Sequence, residues 1–176
     1  MSGPTEKAVV LAAGLGTRMR RADEGLPLDA SQAAAAEAGL KAMIPIGRPF
    51  LDYVISALAD GGMRHVCIVV RPGHAAIQEH YAALRPTRVR LSFAIQAEPL
   101  GTASAVLAAE AFAGGGDFLV LNSDNYYPVS AIRALARLGE PGLPFFERES
   151  LLLHSNFPRE REIGRASCRE RVYVLV

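Results

Sequence analysis

The sequence is short of the features that announce several common classes of protein. It has 2 cysteines in 176 residues. Cys67 falls in an apolar run and Cys168 in an atypical tail, so there is neither a disulfide framework nor a zinc-ligand spacing. Reduced thiols of this kind fit the cytoplasm. Charge of one sign is not in excess either. The formal net charge is +1, which argues against nucleic acid or an anionic membrane surface as a partner. No apolar run approaches the roughly 18 residues of a spanning helix, and the polar opening Met1 to Lys7 does not read as a signal peptide. There is no internal repeat. His65, His74 and His80 lack metal-ligand spacing and read as surface or helix-end residues. What remains, half hydrophobic and 21% charged, is ordinary for one globular domain with a sizeable core.

Against that plain background one stretch stands out. Val9-Val10-Leu11-Ala12-Ala13 reads as a buried strand, and it breaks into Gly14-Leu15-Gly16-Thr17-Arg18-Met19. Gly14 and Gly16 can take positive φ and let a ligand approach the backbone, so that successive N–H groups point at an anion. Arg18 adds a planar, permanently charged fork that matches phosphate oxygens. The loop is not a Walker A sequence, because Arg18 and Met19 stand where lysine and a hydroxyl residue are required. Nor is it a dinucleotide fingerprint, because Met19 replaces the third glycine. Taken alone, it is either a phosphate-binding loop or a tight strand-to-helix turn.

Downstream, strand and helix patterns alternate. Residues 20–39 form a polar and alanine-rich insertion, with a helix expected through Ser31–Glu37 capped by Asp29; it is a surface insertion or a lid. Helices are expected over Phe50–Ala59, Ala75–Leu84, Thr102–Phe112 and Val129–Leu138, and strands over Val66–Val70, Val89–Ile95 and Asp117–Leu121. The expected fold is α/β, a mainly parallel twisted sheet with helices on both faces. In such sheets ligands gather beyond the carboxyl ends of the strands.

Two further stretches sit at such ends. Gln96-Ala97-Glu98-Pro99-Leu100-Gly101-Thr102 offers an amide that both donates and accepts, as a base edge requires, and a glycine that permits close approach. It also reads as a polar turn capping the next helix through Thr102. Leu121-Asn122-Ser123-Asp124-Asn125 places a carboxylate where Mg²⁺ could be held against phosphate oxygens, or where it could simply cap a turn.

The string Leu11-Ala12-Ala13-Gly14-Leu15-Gly16-Thr17-Arg18-Met19, with Lys41-Ala42-Met43-Ile44-Pro45 and Gly47-Arg48-Pro49-Phe50-Leu51-Asp52-Tyr53, resembles the signature of the sugar-phosphate nucleotidyltransferases. Leu40 replaces that family's usual proline before the lysine, and the spacer from Arg18 to Lys41 is longer than usual. The resemblance implies a Rossmann-like nucleotidyltransferase fold in which a sugar 1-phosphate attacks the α-phosphorus of a nucleoside triphosphate and pyrophosphate leaves. It implies nucleotide contacts from Leu11, Ala12, Ala13, Gly14, Gly16, Thr17, Gln96, Gly101 and Thr102, with a pyrimidine base (UTP or dTTP) favoured. Asp124 matches the family's metal-binding aspartate, so Mg²⁺ is the expected cofactor. Bringing two polyanions together and stabilising the leaving charge suits Arg18 and Lys41 as catalytic residues. The rival readings are a non-catalytic nucleotide-binding or regulatory subunit of the same fold, and transfer to a non-sugar phosphate. Neither the sugar nor the oligomeric state is legible, and a homo-oligomer stays open.

The end of the chain departs from this pattern. Residues from Glu162 to Val172 fit no expected element and read as the conceptual translation of a short-read sequencing adapter; the alternative is an ordinary basic tail. Residues 1–161 are accordingly expected to be a partial nucleotidyltransferase domain, and 162–176 a non-native tail. The resemblance then makes the parent protein the expected enzyme. This fragment would hold the nucleotide half of the site without the sugar-binding strands and second metal-binding aspartate, so activity is not assured for the fragment itself. An open sheet edge would then be left behind.

Overall fold

The computed structural model describes residues 3–14, 40–144, 146 and 173–175. The expected helix over 31–37 and the residues Gly16, Thr17 and Arg18 lie outside the described residues, as does Cys168.

Five strands make the main sheet, in the order β5-β4-β1-β6-β7. β1 (Lys7–Leu11) is central and runs parallel to β4 (His65–Val70) and to β6 (Phe118–Asn122), with Val9 opposite Cys67 on one side and Val120 on the other. β5 (Arg90–Ile95) pairs parallel with β4 and forms one edge. Strands covered on both faces must be apolar throughout, which is why β1, β4 and β6 were readable as continuous hydrophobic runs. β5 alternates less cleanly. Leu91 and Phe93 pack on the core, while Ile95 at its end is exposed.

The edge beyond β6 is not open. β7 (Tyr173–Leu175) pairs antiparallel with Phe118–Val120, although it lies in the 162–176 tail expected to be non-native. Unpaired N–H and C=O groups at a sheet edge accept any extended segment that can reach them.

Residues of alternating parity on the strands build two cores. Ala8, Val10, Val66, Ile68, Leu119 and Leu121 face α1 (Phe50–Asp60), α2 (Ala75–Leu84) and α5 (Val129–Ala136). Val9, Cys67, Val69 and Val120 face α3 (Thr102–Leu107) and α4 (Glu110–Ala113). The second core is lined by Ala105, Ala109 and Ala113, small residues that bring the helices close to the sheet. Where one helix over 102–112 was expected, two are found. The Ala109 amide bonds Val106 O at 2.9 Å, so the chain tightens by one residue there and restarts. Across the other core, buried Asp52 on α1 meets His80 on α2 at 2.9 Å.

A short 3₁₀ turn (Lys41–Met43) precedes a two-strand hairpin, β2 (Pro45–Ile46) and β3 (Arg48–Pro49). Gly47 turns the hairpin at φ +78°, a conformation L side chains avoid. Pro49 ends it and serves as the N-cap of α1, and the Tyr53 hydroxyl donates to Ile46 O at 2.6 Å. The Arg48 guanidinium lies 4.3 Å above the Tyr53 ring. The spacing Gly47-x-Pro49-x-x-x-Tyr53 is therefore a self-locking unit, and it fixes the segment that carries Lys41.

Candidate active site

At the carboxyl edge of the sheet the ends of β1, β5 and β6 surround a cleft of about 320 Å³. Leu11, Ala12, Ala13 and Gly14 form one wall, Gln96, Pro99, Gly101 and Thr102 another, and Asn122, Ser123 and Asp124 a third. Lys41 closes it, with Leu40 and Ala42 beside it and Ile77 of α2 below. The structure thus gathers Leu11, Ala12, Ala13, Gly14, Lys41, Gln96, Gly101, Thr102 and Asp124 into one recess. Gly16, Thr17 and Arg18, predicted for the same site, lie outside the described residues.

The first wall is built for backbone donors. The Ala12 amide bonds Val69 O at 2.8 Å, and Ser123 N bonds Leu11 O at 3.2 Å, so both flanking strands anchor the end of β1. The next N–H groups along the chain are those of Ala13 and Gly14. Gly14 does not use the positive φ open to it, and a Cβ built on it would meet none of the described residues within 4 Å. Its lack of a side chain leaves space for a ligand rather than relieving strain.

Gly101 is the opposite case. Its φ of 98° and ψ of −173° are essentially restricted to glycine. It occupies the N-cap of α3 with no side-chain cap bond, so Thr102 is the first helical residue and not the cap expected of it. Gln96 is buried, and its Nε2 donates to Gly101 O at 3.0 Å across the loop. The two glycines should therefore respond differently to alanine. Gly101→Ala is expected to destabilise the fold by about 1–3 kcal/mol. Gly14→Ala should leave the melting temperature unchanged, and thermal unfolding of the two variants checks the contrast.

Asp124 is exposed and takes part in no ion pair among the described residues. Ser123 beside it is buried, and the Asn125 amide donates to the Tyr127 hydroxyl at 3.2 Å, which braces the turn. Among the described residues there is no cluster of three or more His, Cys, Asp or Glu side chains. The donor set still suits a hard cation that brings its own phosphate ligands. Mg²⁺ is commonly held by one or two carboxylates, substrate oxygens and water rather than by an all-protein cage.

A second recess, of about 270 Å³, opens beyond the first and is lined by Lys41, Ile44, Ile46, Phe50 and Asp124. Lys41 and Asp124 border both. Lys41 is half-buried, and its neighbours Leu40 and Met43 pack on the core, so its backbone is fixed.

His74, expected at the surface or at a helix end, is the N-cap of α2 and is only 4% exposed, so it is a helix-end residue but a buried one. The Arg71 Nε–H donates to its Nε2 at 2.6 Å. Burial holds its imidazole below the ordinary 6.5, the Arg71 guanidinium adds to that, and the backbone of Ala12 acts the other way. Ile77, which lines the cleft, was read only as part of a helix pattern.

A parallel α/β sheet with a glycine-bearing loop, a lysine and a carboxylate at its carboxyl edge puts the chain among the α/β proteins whose candidate sites lie beyond the carboxyl ends of the strands. Comparison with known sequences narrows the class. Residues 7–140 match the family model described as Nucleotidyl transferase. The chain belongs to that family. It is similar to the bifunctional protein GlmU of Rhodopseudomonas palustris (strain BisB5), with 36% identity over 143 residues, 80% of this chain and 27% of that protein. It is also similar to the UTP–glucose-1-phosphate uridylyltransferase of Streptococcus pneumoniae serotype 4, at 27% identity over 77% of this chain and 48% of that one. Among solved structures, HddC from Yersinia pseudotuberculosis complexed with GMP-PN aligns at a TM-score of 0.55 and 28% identity, over 69% of this chain and 49% of that chain. The chain spans about a quarter of the GlmU relative. Among the described residues, no helix is long and apolar enough to cross a membrane.

Proposed function

We propose that this chain carries the nucleotide-handling part of an enzyme that transfers a nucleotidyl group from a nucleoside triphosphate to a sugar 1-phosphate. The observation that carries the reading is the pair of adjoining recesses with Lys41 and Asp124 as their common border. A donor in one and an acceptor in the other would meet at those two side chains.

In the reaction, an oxygen of the sugar phosphate forms a bond to the α-phosphorus, and the bond from that phosphorus to the bridging oxygen of pyrophosphate breaks. The nucleophile is already an anion near neutral pH, so the protein need not supply a strong base. Its work is to bring polyanions together and to stabilise charge on the leaving group. Ala13 and Gly14 line the cleft, and their amides, with Arg18, are assigned to binding phosphate. Lys41 neutralises the α-phosphate or the acceptor phosphate as a point charge. Asp124 would hold Mg²⁺, which supplies charge stabilisation on phosphate oxygens when bound. Gln96 and the backbone at Gly101 present the base-facing wall, and UTP or dTTP is the proposed donor. A cytoplasmic setting belongs to the same reading.

The test is direct. The 176-residue chain is titrated with each nucleoside triphosphate, and pyrophosphate release is followed with Mg²⁺ and a panel of sugar 1-phosphates. Saturable release with one donor–acceptor pair is expected. Binding without release for any acceptor would favour a non-catalytic nucleotide-binding subunit, and release only with other phosphorylated alcohols would move the acceptor class.

A further inference from the structure

The loop between β4 and α2 carries a polar pair that the transfer chemistry does not use. The Arg71 Nε–H can only donate, so the His74 Nε2 that it meets at 2.6 Å must be an acceptor. A neutral imidazole with an unprotonated Nε2 carries its proton on Nδ1. That Nδ1 is buried and has no hydrogen-bond partner among the described residues. A buried donor of this kind is costly unless it is used.

The nearest use is the end of β1. Val69 O, just before this loop, already holds the Ala12 amide at 2.8 Å. The backbone of Ala12 also acts on the His74 ring, favouring its protonated form as a nearby carbonyl does. We propose that His74 is a positioning residue: Arg71 fixes its tautomer, and its Nδ1–H engages the Ala12 carbonyl, setting the direction in which the Ala13 and Gly14 amides point. Ala12 would then be gripped on its N–H by β4 and on its carbonyl by the loop after β4. Adding a second proton would set two donors, Nε2–H and the Arg71 Nε–H, against each other, so the arrangement demands the neutral ring.

The consequence for ligands rests on the phosphate-binding reading of this loop, but the positioning does not, and the experiment separates them. On the ¹⁵N-labelled chain at pH 7.5, long-range ring correlations are expected to show His74 protonated at Nδ1 and bare at Nε2. Amide exchange at Ala12 and Ala13 is read in the same sample. His74→Leu should raise exchange about tenfold, the scale of one lost hydrogen bond. His74→Asn places an amide N–H near the Nδ1 position and should restore protection to within about threefold of wild type, again on the scale of one hydrogen bond. A proton on Nε2 in the wild-type chain, or a leucine variant with unaltered exchange, would overturn the proposal. UTP titration of the same proteins should show weaker binding for leucine than for asparagine. Failure of UTP to bind the wild-type chain would count against the nucleotide reading alone, since the ring and exchange data are obtained without ligand.

Discussion

Lys41→Met is expected to lower the rate of pyrophosphate release by about 10²–10³-fold, the usual effect of removing one preorganised charge from a transition state. The reasoning starts from the backbone. Ala42 is buried, Leu40 and Met43 pack on the core, and Phe50 N bonds Ile44 O at 3.0 Å. The segment is therefore held whether or not residue 41 is charged. Methionine keeps the length and the apolar stem of lysine, so the change is close to a pure loss of charge at the border of the two recesses. Thermal unfolding should move little, while turnover falls. Lys41→Arg should not restore it, because a planar fork is not a substitute for a compact ammonium at a point contact. A methionine variant with wild-type turnover would remove Lys41 from the chemistry.

Asp124→Asn should have an effect of at least about 100-fold on Mg²⁺-dependent release, because the side chain keeps its shape and loses the charge that would hold the cation. The residue is exposed and its turn is braced by Ser123 and by the Asn125–Tyr127 bond, so no structural collapse is expected. The comparison that matters is between nucleotide binding and release. Binding of the triphosphate should survive in part, since the Ala13 and Gly14 amides and Lys41 are untouched. Release should fall. Raising Mg²⁺ should recover some activity if the carboxylate acts through cation affinity. If wild type and variant both bind and neither releases pyrophosphate, the chain is a nucleotide-binding subunit and not a catalyst.

How much of this was legible in the sequence depended on what each residue has to touch. The strand Val66–Val70 declares itself because a central parallel strand is apolar on both faces. The same logic made Val9 and Val120 readable. The hairpin motif around Gly47, Pro49 and Tyr53 could be matched as a pattern, but its physical content, a tyrosine tied back to its own hairpin, needed coordinates. The break between α3 and α4 was not legible. Alanines have high helix propensity wherever they stand, and only the fit of Ala105, Ala109 and Ala113 against one sheet face reveals where the chain tightens. The helix-end position of His74 was legible, but its burial was not, because nothing local distinguishes a helix-end histidine in solvent from one enclosed when the sheet and helices assemble. The gathering of Gln96, Asp124 and Lys41 was readable in outline, since each follows or flanks a strand end. Their sharing of two recesses was not.

The bond from Gln96 Nε2 to Gly101 O has a thermodynamic implication for recognition. It closes the loop from Gln96 to Gly101 within the folded chain, and the positive φ of that glycine sets its shape before any ligand arrives. Ordering that loop is thus part of folding and not of association, so under the proposed function a base entering there would meet a surface whose configurational entropy has already been surrendered. Substitutions that slacken the loop should accordingly appear in calorimetry as a less favourable binding entropy, with the contacts to the base themselves unchanged.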